Sequence, residues 1–156
     1  MIGIISDTHD NLDNIRKAVN YFNRQKVSLV LHAGDFVSPF TASEFKNLNP
    51  PMKGVYGNND GDIPALMKKY DGIADILSGW RRLESGGKVI YLTHLPLPEL
   101  PADCDLYIHG HTHEAEVKVK KGHLAVNPGD CSGWVSGRAT IAVADLEKRE
   151  AEIIEI

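Results

Sequence analysis

Five short clusters of oxygen and imidazole donors punctuate this chain: SDTH with Asp7 and His9, HAGD with Asp35, GNND with Asn58, LTHLP with His94, and GHTH with His111 and His113. Most of them directly follow an apolar run that reads as a strand. Side chains so placed sit on loops at strand ends, where open α/β sheets bind their ligands. The pattern therefore constrains the fold, to strands whose ends converge, and proposes a chemistry: two divalent cations and a phosphate ester.

The stretches between the clusters agree. Met1–Ser6 and Val27–His32 read as buried strands, and Val55–Tyr56 ends a third. Leu12, Ile15, Val19 and Phe22 recur at helical spacing behind a cap at Asp10 or Asn11. Pro39–Lys46 reads as a short helix with Ser38 as cap and Pro39 in its first position, and Asp62–Lys69 as another. This alternation over the first 70 residues predicts a largely parallel sheet. The remainder reads as hairpins. Trp80–Glu84 and Lys88–Leu92 flank Ser-Gly-Gly, Glu116–Lys120 and His123–Asn127 flank Lys121-Gly122, and Arg138–Ala144 and Arg149–Ile154 flank Leu146–Lys148. Two packed sheets with helices on the outer faces account for both halves. No linker or repeat interrupts residues 1–156, so a single domain is expected. Leu95–Cys104, with three prolines, is expected on the rim of the site.

The length of 156 residues allows one sizeable core. A formal charge of −4 argues against a general nucleic-acid binder or a polybasic membrane surface. Two divalent cations add +4 and would bring that total to zero, concentrating the change where an anionic substrate arrives. No apolar stretch reaches the roughly 20 residues of a membrane span. The start, MIGIISDTHD, is too short and too early-charged for a signal peptide. A cytoplasmic protein with Cys104 and Cys131 reduced is expected.

Imidazole, carboxylate and amide donors without a thiolate suit manganese, iron, zinc, nickel or cobalt better than Cu(I). Seven ligands are too many for one four-coordinate ion; they fit two if one carboxylate bridges. Ions roughly 3.5–4 Å apart clamp the attacking and leaving oxygens of a phosphoryl transfer and bring a hydroxide nucleophile near neutral pH. With only two carboxylates in the set, the core stays positive, which favours a phosphate anion and its transition state. In an extended GHTH segment His111 and His113 would point the same way, sending one to each ion or both to one. Gly34, Gly57 and Gly110 supply backbone freedom or close approach beside the ligands.

The ordered set Asp-x-His, Gly-Asp, Gly-Asn, His, Gly-His-x-His resembles the calcineurin-like metallophosphoesterase superfamily, and within it the small, uncapped branch of bacterial and archaeal phosphodiesterases. The similarity runs from Met1 to about Asp145 and includes an Asn127-Pro128-Gly129 turn. It implies a four-layer α/β/β/α sandwich of two mixed β-sheets flanked by helices. It also implies one ion on Asp7, His9, Asp35 and His113, and another on Asp35, Asn58, His94 and His111, with Asp35 as the bridge. The expected cofactors are two divalent metal ions, manganese first, with nickel, iron, cobalt or zinc acceptable. Two positions depart from the pattern. Asn59 stands where much of the superfamily has a histidine that assists the leaving group; its amide can contact phosphate but is a poor proton donor. Leu95 stands where the family often has glycine, narrowing the mouth of the site.

The expected activity is hydrolysis of a small or exposed phosphodiester by in-line attack of hydroxide held on the metal pair. A phosphomonoesterase is the near alternative. A non-catalytic interaction module, like the retromer subunit that resembles this branch, is the distant one; seven filled donor positions favour catalysis. Apolar patches beside the hairpins leave a homo-oligomer open. His32, His109 and His123 read as structural histidines, although His32 and His109 could orient ligands from behind. Asp60 could hold the Asn58 loop. Trp80 and Trp134 read as core or interface residues, and Phe36 and Phe40 as packing a helix onto the sheet. Histidine ligands must be neutral, so metal affinity is expected to fall below roughly pH 6.

Overall fold

The computed structural model describes residues 1–120 and 122–156. The first half alternates strand and helix: β1 (Ile2–Ile5), α1 (Leu12–Gln25), β2 (Leu29–His32), α2 (Ala42–Phe45), β3 (Met52–Val55), α3 (Ile63–Tyr70) and β4 (Ala74–Leu77). Strands follow: β5 (Trp80–Ser85), β6 (Lys88–Thr93), β7 (Leu106–Ile108), β8 (Glu116–Lys120), β9 (His123–Asn127), β10 (Thr140–Asp145) and β11 (Glu150–Glu155). They form two mixed sheets, ordered β11-β10-β1-β2-β3-β4 and β5-β6-β7-β9-β8. In the first, β1 to β4 run parallel, and the C-terminal hairpin returns so that β10 lies antiparallel to β1. In the second, β6-β7 and β7-β9 are parallel and the outer pairs antiparallel.

Near-continuous apolar runs such as IGII and LVLH mark strands covered on both faces. Ile4, Leu31, Val55, Ile90, Leu92, Ile108 and Val126 fill the space between the sheets. On the outer face of the first sheet, Ile5 and Val30 meet Ile15, Val19 and Phe22 of α1, Phe45 of α2, and Leu66 and Tyr70 of α3. Asn11 caps α1 by accepting from the Asn14 amide at 3.2 Å, and Asp62 caps α3 by accepting from Ala65 at 3.0 Å. A Cβ at position 3 would lie 2.7 Å from the Phe22 ring, so Gly3 lets α1 settle directly onto β1.

Two mixed sheets with helices are the expected α/β architecture, and the outer face of the second sheet has a cover of its own kind. Tyr91, Cys104 and Tyr107 pack there against Leu97 and Leu100, and among the described residues no helix lies over them. The cover is the Leu95–Cys104 stretch, a strap without regular structure. Pro96, Pro98 and Pro101 remove backbone donors and would clash inside a helix. Local departures are smaller. Pro39–Thr41 is a 3₁₀ turn leading into α2, and Ser38 makes no side-chain cap bond. Edge strand β4, short and half-buried, was not anticipated. Phe36 is buried, but Phe40 is exposed, and so are Trp80 and Trp134, which are therefore not core residues. Of the expected Lys121-Gly122 turn, Lys121 lies outside the described residues.

Candidate metal centre

All five clusters converge at one end of the two sheets. Asp7 and His9 follow β1, Asp35 follows β2, Asn58 follows β3, His94 follows β6, and His111 and His113 follow β7. Backbone bonds tie these loops together. The amides of Thr8 and His9 donate to the Asp35 carbonyl at 3.0 and 3.1 Å, Asp7 donates to the Gly34 carbonyl at 3.0 Å, and Gly110 to the His94 carbonyl at 3.1 Å. The His111 amide donates to Asp7 Oδ2 at 3.1 Å. Asp7, His9, Asp35, His111 and His113 all have positive φ, between 36° and 68°. Non-glycine residues are uncommon there, cost about 1–3 kcal/mol each, and persist only where their surroundings over-determine them. GHTH is accordingly not extended. His111 and His113 turn to different neighbours because the backbone winds left-handed at both.

The donors form two adjoining groups. In one, Asp7 Oδ1 lies 3.8 Å from His9 Nε2 and 3.4 Å from His113 Nε2. In the other, Asn58 Oδ1 lies 2.8 Å from His94 Nε2 and 2.9 Å from His111 Nδ1. Asp35 Oδ2 stands between them, 3.4 Å from His9 Nε2 and 3.5 Å from His94 Nε2. Ligand atoms of Asp7, His9 and His113, and of Asp7, Asp35 and His94, fall within 4.8 Å of one another, so each group could hold a cation. Asp7 and Asp35 are fully buried. Burial pushes the Asp7 carboxyl upward, but His9 and Ser6 beside it, with His94 and His113 nearby, outweigh that and hold it below the usual carboxylate range. His9 is correspondingly raised, by Asp7 foremost, against the opposing effect of its burial.

The donor set fits divalent cations on its own chemistry. Asp7 Oδ1 and His9 Nε2 are buried without a hydrogen bond, a cost of about 1–3 kcal/mol per group if nothing satisfies them. His94 Nδ1–H donates to the Ala33 carbonyl at 2.8 Å, which leaves the Nε2 lone pair facing the Asn58 carbonyl oxygen. Two acceptors so placed repel, whereas ligands bound at ~2.1 Å and near right angles to one cation lie ~3.0 Å apart. Two glycines make room. A Cβ at position 57 would lie 2.1 Å from Asp35 Oδ1, and one at position 110 would lie 2.6 Å from Asp7 Oδ2.

Groups behind the donors hold the loops. Asp60, named in sequence for the Asn58 loop, accepts from Gly57 at 2.7 Å, Val37 at 2.7 Å and Asp35 at 3.2 Å. Burial raises its carboxyl in spite of those bonds. His32 is wedged between Phe36 and Thr8 and braces the loops rather than a donor side chain. His109 stacks on Tyr107 and bonds the Gly110 carbonyl, away from the donors, and His123 bonds the Cys104 carbonyl. Asn59 is occupied: its amide N–H and side-chain Nδ2 donate to the two Asp35 carboxylate oxygens at 2.9 and 2.8 Å. Asp130 was missed in sequence. Its Oδ2 lies 3.3 Å from His113 Nδ1 and accepts from the Val135 amide at 3.1 Å, while Oδ1 accepts from the Ser132 hydroxyl. Burial raises it, yet Ser132, Val135 and His113 together keep its carboxyl below the ordinary range. The available signal was its position directly after Asn127-Pro128-Gly129.

Residues 1–149 match the calcineurin-like phosphoesterase superfamily domain. A phosphodiesterase of Methanocaldococcus jannaschii is 40% identical over 157 residues, spanning 96% of this chain and 95% of its own. The solved structure of an archaeal phosphodiesterase superposes with a TM-score of 0.90 at 38% identity, covering 99% of both chains. A vacuolar protein sorting 29 protein of Cryptosporidium parvum superposes at 0.65 with 21% identity, covering 99% of this chain and 95% of its own, a likeness of fold alone.

Proposed function

The chain belongs to the calcineurin-like phosphoesterase superfamily, and on that footing we propose that it is a binuclear metal-dependent phosphodiesterase acting on a small or exposed diester. The observation that supports this reading is the placement of Asp35 Oδ2 between two donor groups, within 3.5 Å of an imidazole nitrogen from each. In this reading Asp7, His9, Asp35 and His113 hold one ion, and Asp35, Asn58, His94 and His111 the other. Manganese is the proposed native metal, matching oxygen and imidazole donors without thiolate. Bound there, such ions supply Lewis acidity to the phosphoryl oxygens and bring the pKa of water toward neutrality.

The chain's own residues do the rest. His94 is locked by Ala33, so its Nε2 always faces inward. Asn59 trades its bond to Asp35 for one to a phosphoryl oxygen once Asp35 is engaged. It has no acidic proton to give, so the reading favours esters whose leaving group departs as a stable anion. The 40% identical relative is a phosphodiesterase, which supports a diester over a monoester. Among the described residues no helix is long and apolar enough to cross a membrane; a cytoplasmic setting is part of the proposal.

The test uses metal-stripped protein reloaded with manganese and assayed on bis(p-nitrophenyl) phosphate. Turnover is expected, and Asp35→Asn should lower kcat/KM by about 100-fold or more, the scale of losing a group that organises transition-state charge. Absence of turnover in the reloaded protein, or full activity in the variant, overturns the reading.

A further inference from the structure

Beside the donor set opens a cleft of about 310 Å³, lined among others by Tyr56, Asn58, Trp80, His94 and Leu95. That is the lower end of the ~300–1,000 Å³ typical of small-molecule sites, with room for one ring system rather than a polymer. Asn58 and His94 belong to the donor set as well, so the cleft and the metal centre share a wall. Its surface is mostly apolar, and two of its apolar residues are open to solvent: Trp80 is 59% exposed and Leu95 53%.

The indole is held in place rather than loose. Trp80 opens edge strand β5 and pairs with Thr93, the residue before His94. It stacks on Tyr91 with ring centroids 5.8 Å apart and 24° between the planes. A rigid aromatic face therefore stands one residue from a donor, and a ligand laid on it orders little that is not already ordered. Thr93 and His94, two polar side chains of the wall, are already engaged elsewhere. Thr93 Oγ1 reaches the Leu95 carbonyl at 2.8 Å and the Tyr107 hydroxyl at 3.2 Å, and His94 is held through Nδ1 by the Ala33 carbonyl with Nε2 turned toward the donor set. Such a wall grips a flat apolar face far better than it reads hydrogen-bonding edges.

We propose that one ester group of the substrate is an uncharged aromatic ring, seated in this cleft against Trp80 and Leu95 while its phosphate lies on the donor set. The proposal rests on the phosphodiesterase reading and names the substrate class for it.

The test measures binding and does not need turnover. Phenylphosphonate and methylphosphonate are titrated calorimetrically into manganese-loaded protein. Phenylphosphonate should bind about threefold to tenfold tighter, the range expected for one aromatic stack. Trp80→Ala should erase that preference while leaving methylphosphonate unchanged, and Trp80→Phe should restore most of it. Equal affinities in the unaltered protein, or a preference that survives Trp80→Ala, overturn the cleft assignment and leave the diesterase reading standing. Trp80→Ala that changes the sedimentation coefficient but not the phenyl preference also overturns it, assigning the indole to a contact between copies. Loss of cleavage with both phosphonates failing to bind overturns the diesterase reading itself, and the cleft assignment with it.

Discussion

His32 shows how much of this centre depends on groups that never enter it. The Gly34 amide donates to its Nδ1 at 3.1 Å, so the ring proton sits on Nε2, which reaches Thr8 Oγ1 at 3.2 Å. The Thr8 hydroxyl in turn donates to the Asp35 carbonyl at 3.2 Å. Burial, with the ring stacked 3.7 Å from Phe36, holds the imidazole neutral and lowers its pKa to about 3. An unfolded histidine takes its proton near pH 6.5, so between there and about 3 the unfolded chain binds more protons than the folded one. The contribution is intact above about pH 6.5 and is lost as the solution is acidified. Thermal melts of metal-free protein should therefore fall from pH 7 to pH 5, and His32→Gln should flatten that dependence. Equal slopes for the two proteins would remove His32 from the account. His9 behaves oppositely. Its raised pKa means a cation must displace a proton, so manganese binding near neutral pH should release protons, seen as heats that vary with buffer ionisation enthalpy. Heats independent of buffer would contradict it. That the seven candidate ligands would come together was legible because metal chemistry restricts residue type. Asp130 and the His32 relay were not, because their meaning lies in contacts across 17 and 24 residues of chain. Nor does anything in GHTH announce left-handed backbone, since the His111 amide is directed by Asp7, 104 residues away.

Elements divide by how strongly their own sequence speaks. α1 was legible from its apolar spacing and Asn11 cap, and the Gly-bearing hairpins from their turns, because local chemistry and packing agree there. β4 was not, since an edge strand with half-exposed ADIL has no pattern of its own and forms only because β3 lies beside it. The strap could be read as irregular, but not as the cover of Tyr91 and Tyr107, which depends on long-range packing. The α1–β1 contact offers a direct check. Gly3→Ala would press a methyl to 2.7 Å from a Phe22 ring that is itself fully buried. Overpacking of this kind costs about 1–3 kcal/mol, read as a lower urea midpoint with an unchanged slope. An unchanged midpoint would mean that α1 can lift from the sheet without penalty.

At the scale of the molecule, the centre is shared between two sheets. Asp7, His9, Asp35 and Asn58 come from loops of the first, and His94, His111 and His113 from loops of the second. A cation held by both would act as a clasp across the seam. Metal bound only by the folded chain should stabilise it by about 2.7 kcal/mol at a free concentration 100 times Kd. Chelation should lower Tm, and manganese should restore it with a shift that grows with the logarithm of its concentration. A Tm indifferent to chelator would contradict a clasp. The sheet order has a consequence for how such a chain is made. β1 is complete on one side once β2 follows it, but its other edge waits for β10, and Ile4 pairs with Ala142. At a translation speed of about 5–20 residues per second, that partner leaves the ribosome roughly 7–28 s later. Throughout that interval a nascent apolar strand keeps one bare edge, so yield during synthesis depends on what shields the newborn chain as well as on the stability of the finished protein.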